Sequence, residues 1–367
     1  PGPDERVLEL TEAEQSFTFV GVSEKPLPSI GRQFSAPAVF DLPLDRADRA
    51  ALMAHDADAF NRWESGQVLA RDVLLDMADA AAKGEPKADP VYLDAIGVAL
   101  ANAEKDPAFA AQMLVPPPES QLALVRSPAD PDAIHAARTA LIRAVAHRHG
   151  AALRNLYDAM ENRGGFTPDA ASAGRRALRN VALRYLTAAD DEAAADLAYK
   201  HYRSATNMTD MIAGLGSLTR MDSKKRDEAF AHFKDQFQDN LLVLDKWMGL
   251  QAASPRIDTI HQVRKLMGAA PFDIKNPNRV RALIGAFSAN HVRFHSDDGA
   301  GYALVGETIR TLDPINPQVA ARMAGAFENW RRYDDARQKL MRRELETTKE
   351  MSGLSANLFE IVTKMLG

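Results

Sequence analysis

The chain has 367 residues, of which 46% are hydrophobic and none is cysteine, and its net charge is −5. That length accommodates two domains or one extended helical array, and the apolar content builds a core without covalent staples. A disulfide framework and any thiolate metal site are excluded, and a reducing compartment is compatible with the absence of Cys. Basic residues are dispersed among acidic ones, so no nucleic-acid footprint is expected. No apolar run approaches the roughly 18 residues of a membrane span.

The opening Pro1-Gly-Pro-Asp4 lacks signal-peptide character and reads as an arbitrary start. Residues 4–43 differ from the rest. Ser16–Val22 and Arg32–Phe40 carry aromatic and β-branched residues, punctuated by Pro26, Pro28, Gly31 and Pro37, which predicts short β-strands. So few strands leave unpaired edges, and they are expected to lean on the remainder of the chain or to be poorly ordered.

From Asp45 onward the apolar spacing is near 3.6 and predicts helices almost without interruption. The first are Arg46–His55, Ala57–Ala82 and Val91–Glu104, the last two separated by Gly84-Glu-Pro-Lys-Ala-Asp-Pro90. Pro116-Pro-Pro118 is a stop, and a long helix runs from Asp132 to about Glu161, ended by Gly164-Gly165. Thr167-Pro168 reads as an N-cap with Pro at the first position. Helices then continue to Leu186 and over Glu192–Arg203, Asn207–Leu218, Ser223–Asp239 and Leu242–Ala252. Short connections predict antiparallel neighbours. No fixed repeat length is present, so the array is expected to be an irregular solenoid.

Two Asn-Pro pairs open the segments most suggestive of a site. Asn caps a helix through its side-chain oxygen, and Pro at the next position has no donor to waste. In Asn276–Phe287, Val280, Leu283, Ile284 and Phe287 form one stripe flanked by Arg279 and Arg281. In Asn316–Trp330 the stripe is Val319, Met323, Phe327 and Trp330, with Gln318, Arg322 and Asn329 on a polar side. Asn207 and Asp210 are spaced as a capping box; Ser355 caps the last helix, with Leu354 and Phe359 placed as a hydrophobic staple. Trp63, Trp247 and Trp330 fall on apolar stripes and read as core.

Other constellations carry less. Ala159-Met-Glu-Asn162 spells part of an exopeptidase motif but ends a helix, with Asp158 where that motif has Gly. His291 and His295 share a helix face near Asp297 and Asp298, yet two ligands without a third do not close a zinc site. His147-Arg-His149 reads as cations at a helix C-terminus.

The strings NPNRVRALIGAF (276–287), FHSDDGAGY (294–302) and NPQVAAR (316–322) resemble the C-terminal helical domain of bacterial aminopeptidase N, a family of zinc-dependent alanyl aminopeptidases. The resemblance extends in collinear order over TEAEQSFTF (11–19), FSAP (34–37), FNRWE (60–64), LRNVALRYL (178–186), ATNMTD (205–210), LDKWMGLQA (244–252), RRYDDARQ (331–338) and LSANLFEIVTKMLG at the end. It implies that residues 1–43 are the last strands of a β-sandwich domain. Residues 44–367 would form a cone-like, two-layer helical domain that caps a catalytic domain of the same polypeptide. The family's H-E-x-x-H zinc box and G-A-M-E-N motif do not occur here, so no cofactor is expected in this chain. Zinc and the hydrolytic chemistry would belong to the part preceding it, and the chain alone should be inactive. Gln318, Arg322 and Arg281 match family positions facing the substrate chamber, where Arg suits peptide carboxylates. Peptide substrates follow from the same resemblance, while a cytoplasmic localisation and no nucleic-acid or membrane partner are expected from the missing cysteine, the dispersed charge and the short apolar runs. The alternative is a free-standing α-solenoid that binds protein partners through a concave face.

Overall fold

The structure, a computed structural model, describes residues 5–81, 84, 86–162 and 164–367. Pro1–Asp4, the end of the helix expected to reach Ala82, and Glu85 of the expected break lie outside them.

From Arg46 the chain is helical. The helices are α1 Arg46–His55, α2 Ala59–Ala81, α3 Pro90–Ala101, α4 Pro107–Met113, α5 Glu119–Val125, α6 Pro131–Ala159, α7 Ala170–Leu186, α8 Glu192–Ser204 and α9 Met208–Leu218. They continue as α10 Lys224–Gln236, α11 Leu241–Ala252, α12 Thr259–Met267, α13 Pro277–Val280, α14 Ala286–Ser288, α15 His291–Phe294, α16 Ala300–Leu312, α17 Pro317–Ala324, α18 Asp335–Lys349 and α19 Ala356–Leu366. A π-helical turn, Arg281–Gly285, joins α13 to α14. Sequential neighbours pack together (α1 on α2, α6 on α7, α8 on α9, α16 on α17), giving an irregular α-solenoid.

Caps define most of these helices. Asp45 accepts from Asp48 N at 2.8 Å while Asp48 accepts from Asp45 N, a reciprocal box. Asn207 accepts from Asp210 N at 3.0 Å, but the Asp210 carboxylate turns to the Asn207 and Asn180 side-chain amides. The start of α7 is capped by Asp169, not by Thr167, because Asp169 accepts from Ser172 N at 3.0 Å. Ser355 caps α19 as expected, bonding Leu358 N at 3.2 Å. Of the expected staple pair, Leu354 packs partly buried against the core and Phe359 stays 48% exposed. Buried Asp313 also anchors this end by accepting from Ser355 N at 2.8 Å and Ser355 Oγ at 2.5 Å.

The core runs the length of the array, from Met53 and Leu69 through Tyr202 and Phe233 to Phe287, Leu358 and Val362. Trp247 and Trp330 are buried and Trp63 packs partly buried against the core. Where α9 crosses α8, a Cβ on Gly214 would stand 2.8 Å from Tyr202 N, so only glycine permits that approach.

One sequence expectation holds and one is corrected. α6 runs on to Ala159 but leaves helical geometry at His149 (φ −117°, ψ 17°), so His147–His149 close its first segment, as read. His149 contacts Leu93 O at 2.8 Å through Nε2, and Arg148 pairs with Asp94. The strands expected at 16–22 and 32–40 are absent: among the described residues the segment 5–43 holds only a 3-10 turn, Arg32–Phe34. Strand hydrogen bonds need a second chain segment, and no partner strand is present to supply it. The segment does lean on the array. Asn61 donates to Ser29 Oγ (2.7 Å) and Ile30 O (3.0 Å), Arg32 pairs with Asp56 at 2.5 Å, and Phe34 meets Phe60 at a ring separation of 4.4 Å.

Candidate functional site

The two Asn-Pro segments fold as their spacing dictates. Asn276 accepts from Asn278 N at 2.9 Å and Asn316 from Val319 N at 3.1 Å, each with Pro at the first helical position. Val280, Leu283, Ile284 and Phe287 are completely buried. On α17 the buried stripe is Ala320, Met323 and Ala324, continued by Phe327 and Trp330, whereas Val319 is only half-buried.

The two arginines flanking the first stripe have different fates. Arg279 is 4% exposed, pairs with Asp245 and donates to Leu241 O at 2.9 Å, so it ties α13 to the start of α11. Arg281 opens the π-helical turn, is exposed, and donates to the Asn278 side-chain carbonyl. A π turn inserts one residue into the helix and re-aims its side chains, a device frequent at functional sites.

Gln318 and Arg322 stand one turn apart on the exposed side of α17. Among the described residues neither makes a side-chain hydrogen bond or an ion pair, so the Arg322 guanidinium retains its five donors. Arg281 shares no hydrogen bond or ion pair with them; it projects from a separate helical segment. All three side chains are exposed, Arg281 on the π-helical turn and Gln318 and Arg322 on α17.

The decoys settle into structural roles. Met160 is buried and Glu161 pairs with Arg179 at 3.1 Å, so the AMEN string is the end of α6. His291 and His295 are 8% and 5% exposed and spend ring nitrogens on phenols: His291 Nε2 lies 3.2 Å from Tyr333 OH, and His295 Nδ1 2.8 Å from Tyr302 OH. Burial lowers both pKa values, that of His295 most, with the neighbouring Arg337 adding to it. No group of three or more His, Asp or Glu among the described residues is placed to hold a metal ion, so the donors present do not fit a zinc site. The phenol partners Tyr302 and Tyr333 were missed in the sequence, because their contacts join positions up to 42 residues apart.

The fold is that of an armadillo-type helical array preceded by a segment of immunoglobulin-like kinship. Residues 46–367 match the profile described as a domain of unknown function (DUF3458_C) ARM repeats, and residues 2–43 match the domain of unknown function (DUF3458) Ig-like fold. The chain belongs to this DUF3458_C ARM-repeat family. It is 40% identical over 367 residues to an aminopeptidase N of Caulobacter vibrioides and 36% identical over 367 residues to one of Escherichia coli. In each case 99% of this chain is covered but only 42% of the relative, so the chain spans about two fifths of the curated relatives it matches. The region matched is their C-terminal one. A crystal structure of Legionella pneumophila aminopeptidase A in complex with aspartic acid superposes with a TM-score of 0.85 at 27% identity, covering 95% of this chain and 42% of that one.

Proposed function

We propose that this chain is the non-catalytic C-terminal region of a zinc-dependent aminopeptidase that removes N-terminal residues from peptides in the cytoplasm. In this reading residues 1–43 close a β-sandwich domain, and residues 44–367 cap the catalytic domain of the same polypeptide. The observation that carries it is the collinear similarity of 99% of the chain to the C-terminal region of aminopeptidases N. No helix among the described residues is long and apolar enough to cross a membrane. In this reading zinc and the groups that activate water reside in the preceding part; among the described residues no group of three or more His, Asp or Glu is placed to hold a metal. The contribution of this chain is to bind and orient substrate. Arg322 and Arg281, exposed with free donors, attract peptide carboxylates, and Gln318 borders the pocket for the first side chain.

In the full-length enzyme, Arg322→Ala raises KM several-fold, by about 1–2 kcal/mol of lost binding, with a smaller change in kcat, because a channel contact is made in ground and transition states alike. Gln318→Ala shifts the preference among N-terminal residues. Steady-state kinetics across several peptides checks both; unchanged constants for every substrate would return these residues to an ordinary solvated surface.

A further inference from the structure

Residues some 200 positions apart meet along one seam, where α5 and α6 face α15, the 3-10 turn Trp330–Arg332 and the start of α18. Several polar links span it. Ala129 N donates to Arg332 O at 2.8 Å, Arg332 Nη1 donates to Leu124 O at 2.6 Å, and Arg337 Nη2 pairs with Asp132 at 2.5 Å. Behind them lies the buried pair His291 and His295, with ring centres 4.8 Å apart and His295 stacked on Tyr333 at 4.0 Å.

The charged groups around this pair are mostly committed to one another. From α18, Arg337 places a permanent cation against it, donating to His295 O at 2.7 Å and to Asp334 at 2.8 Å. From α16 and the 3-10 corner come only the neutral phenols Tyr302 and Tyr333. From α6, Asp132 is committed to Arg337, and Arg138 adds positive potential. From α5 comes the carboxylate nearest His291, Glu119, bound to His135 at 2.7 Å and 3.9 Å from His291 Nδ1. His291 Nδ1 is buried without a hydrogen-bond partner. A proton on His295, which is 5% exposed, would therefore be a charge buried beside the Arg337 guanidinium, whose two carboxylate partners are already engaged.

We propose that this seam is an acid-released latch: protonation of the His291–His295 pair parts α15 and the Tyr333 corner from α5 and α6 while the helices themselves stay folded. The seam yields first because water replaces its few polar links at little cost, whereas the helices to either side are held by continuous apolar stripes. The depressed basicity of both imidazoles agrees in direction. A histidine neutral when buried and charged when free penalises the closed form as pH falls below about 6.5. The proposal is independent of the substrate role of Arg281, Gln318 and Arg322.

Hydrogen exchange of this chain, corrected for intrinsic rates, tests it between about pH 7.5 and about pH 5.5. Peptides covering 129–135, 291–299 and 330–337 should lose about tenfold or more of their protection on acidification, while those of α8 and α9 retain theirs. In the double variant His291→Gln, His295→Gln, whose amides bond the phenols without taking up charge, the seam should stay protected at both pH values. A pH-independent seam in the parent chain, or the same loss in the double variant, overturns the latch. If the double variant does not fold, nuclear magnetic resonance of the histidine ring protons in the parent chain decides. Two imidazoles titrating below about 6.5 in step with seam opening support the latch, and titration without any opening refutes it.

Discussion

Residues 5–43 and the helices from Arg46 onward obey the same chemistry and end up very differently. In the helices the main apolar stripes find a neighbour: Phe287, Leu283 and Leu358 are fully buried. In the leading segment Val20 is 89% exposed, Val39 100% and Phe19 52%. A helix satisfies its own backbone and needs company only for one face. A strand needs partners for its backbone as well, and where those belong to another part of a polypeptide the segment keeps its composition but not its conformation. The segment's anchoring falls at Ser29–Phe34, where side chains reach Asp56, Phe60 and Asn61.

This contrast is sharpened first by Phe287→Ala, which empties a fully buried site between the π turn and α11. A loss of about 3–5 kcal/mol is expected, measured by denaturant unfolding; a loss below about 1 kcal/mol would mean that the helical core is not packed as described. The second test is acidity acting on His201, which is 1% exposed and held by Tyr157 OH at 2.9 Å. Burial, aided by Arg179, lowers its pKa to about 4. The unfolded chain takes up this proton near pH 6.5 and the folded chain does not, so the penalty is absent above about 6.5 and grows as pH falls toward 4. At about 1.4 kcal/mol per unit it reaches about 3 kcal/mol. His201→Gln should flatten that part of the stability–pH curve.

A smaller effect is expected for Gly214→Ala, whose new methyl meets the Tyr202 backbone; about 1–3 kcal/mol should be lost as α9 shifts from α8. Smallest is Val20→Ala, at 89% exposure, which should change stability by less than about 0.5 kcal/mol. A large loss there would show that the leading segment is packed after all and would erase the contrast. Conversely, supplying the preceding part of the polypeptide should bury Val20 and Phe19 and add strand signal to the circular dichroism.

What the sequence by itself determined is the local order. Caps such as Asp45, Asn276 and Asn316 and the 3.6-residue stripes act within a turn or two, so α1 lies at Arg46–His55 as read, and the stripe Val280–Phe287 is buried as read. The exposure of Gln318 and Arg322 was legible for the same reason, since the buried side of α17 leaves them only the other one. Tertiary structure alone decided the rest. Periodicity could not tell Arg279 from Arg281, because the difference is Asp245, 34 residues away, and a π turn that no local pattern announces. Nor could it place His295 against Tyr302 and Tyr333, or close α6 against Arg337 across 205 positions. Such contacts form only when the whole array has packed, and the 5–43 segment marks the limit of that rule. Its β-forming residues are plain in the sequence, but strand pairing is a property of two segments and cannot be read from one.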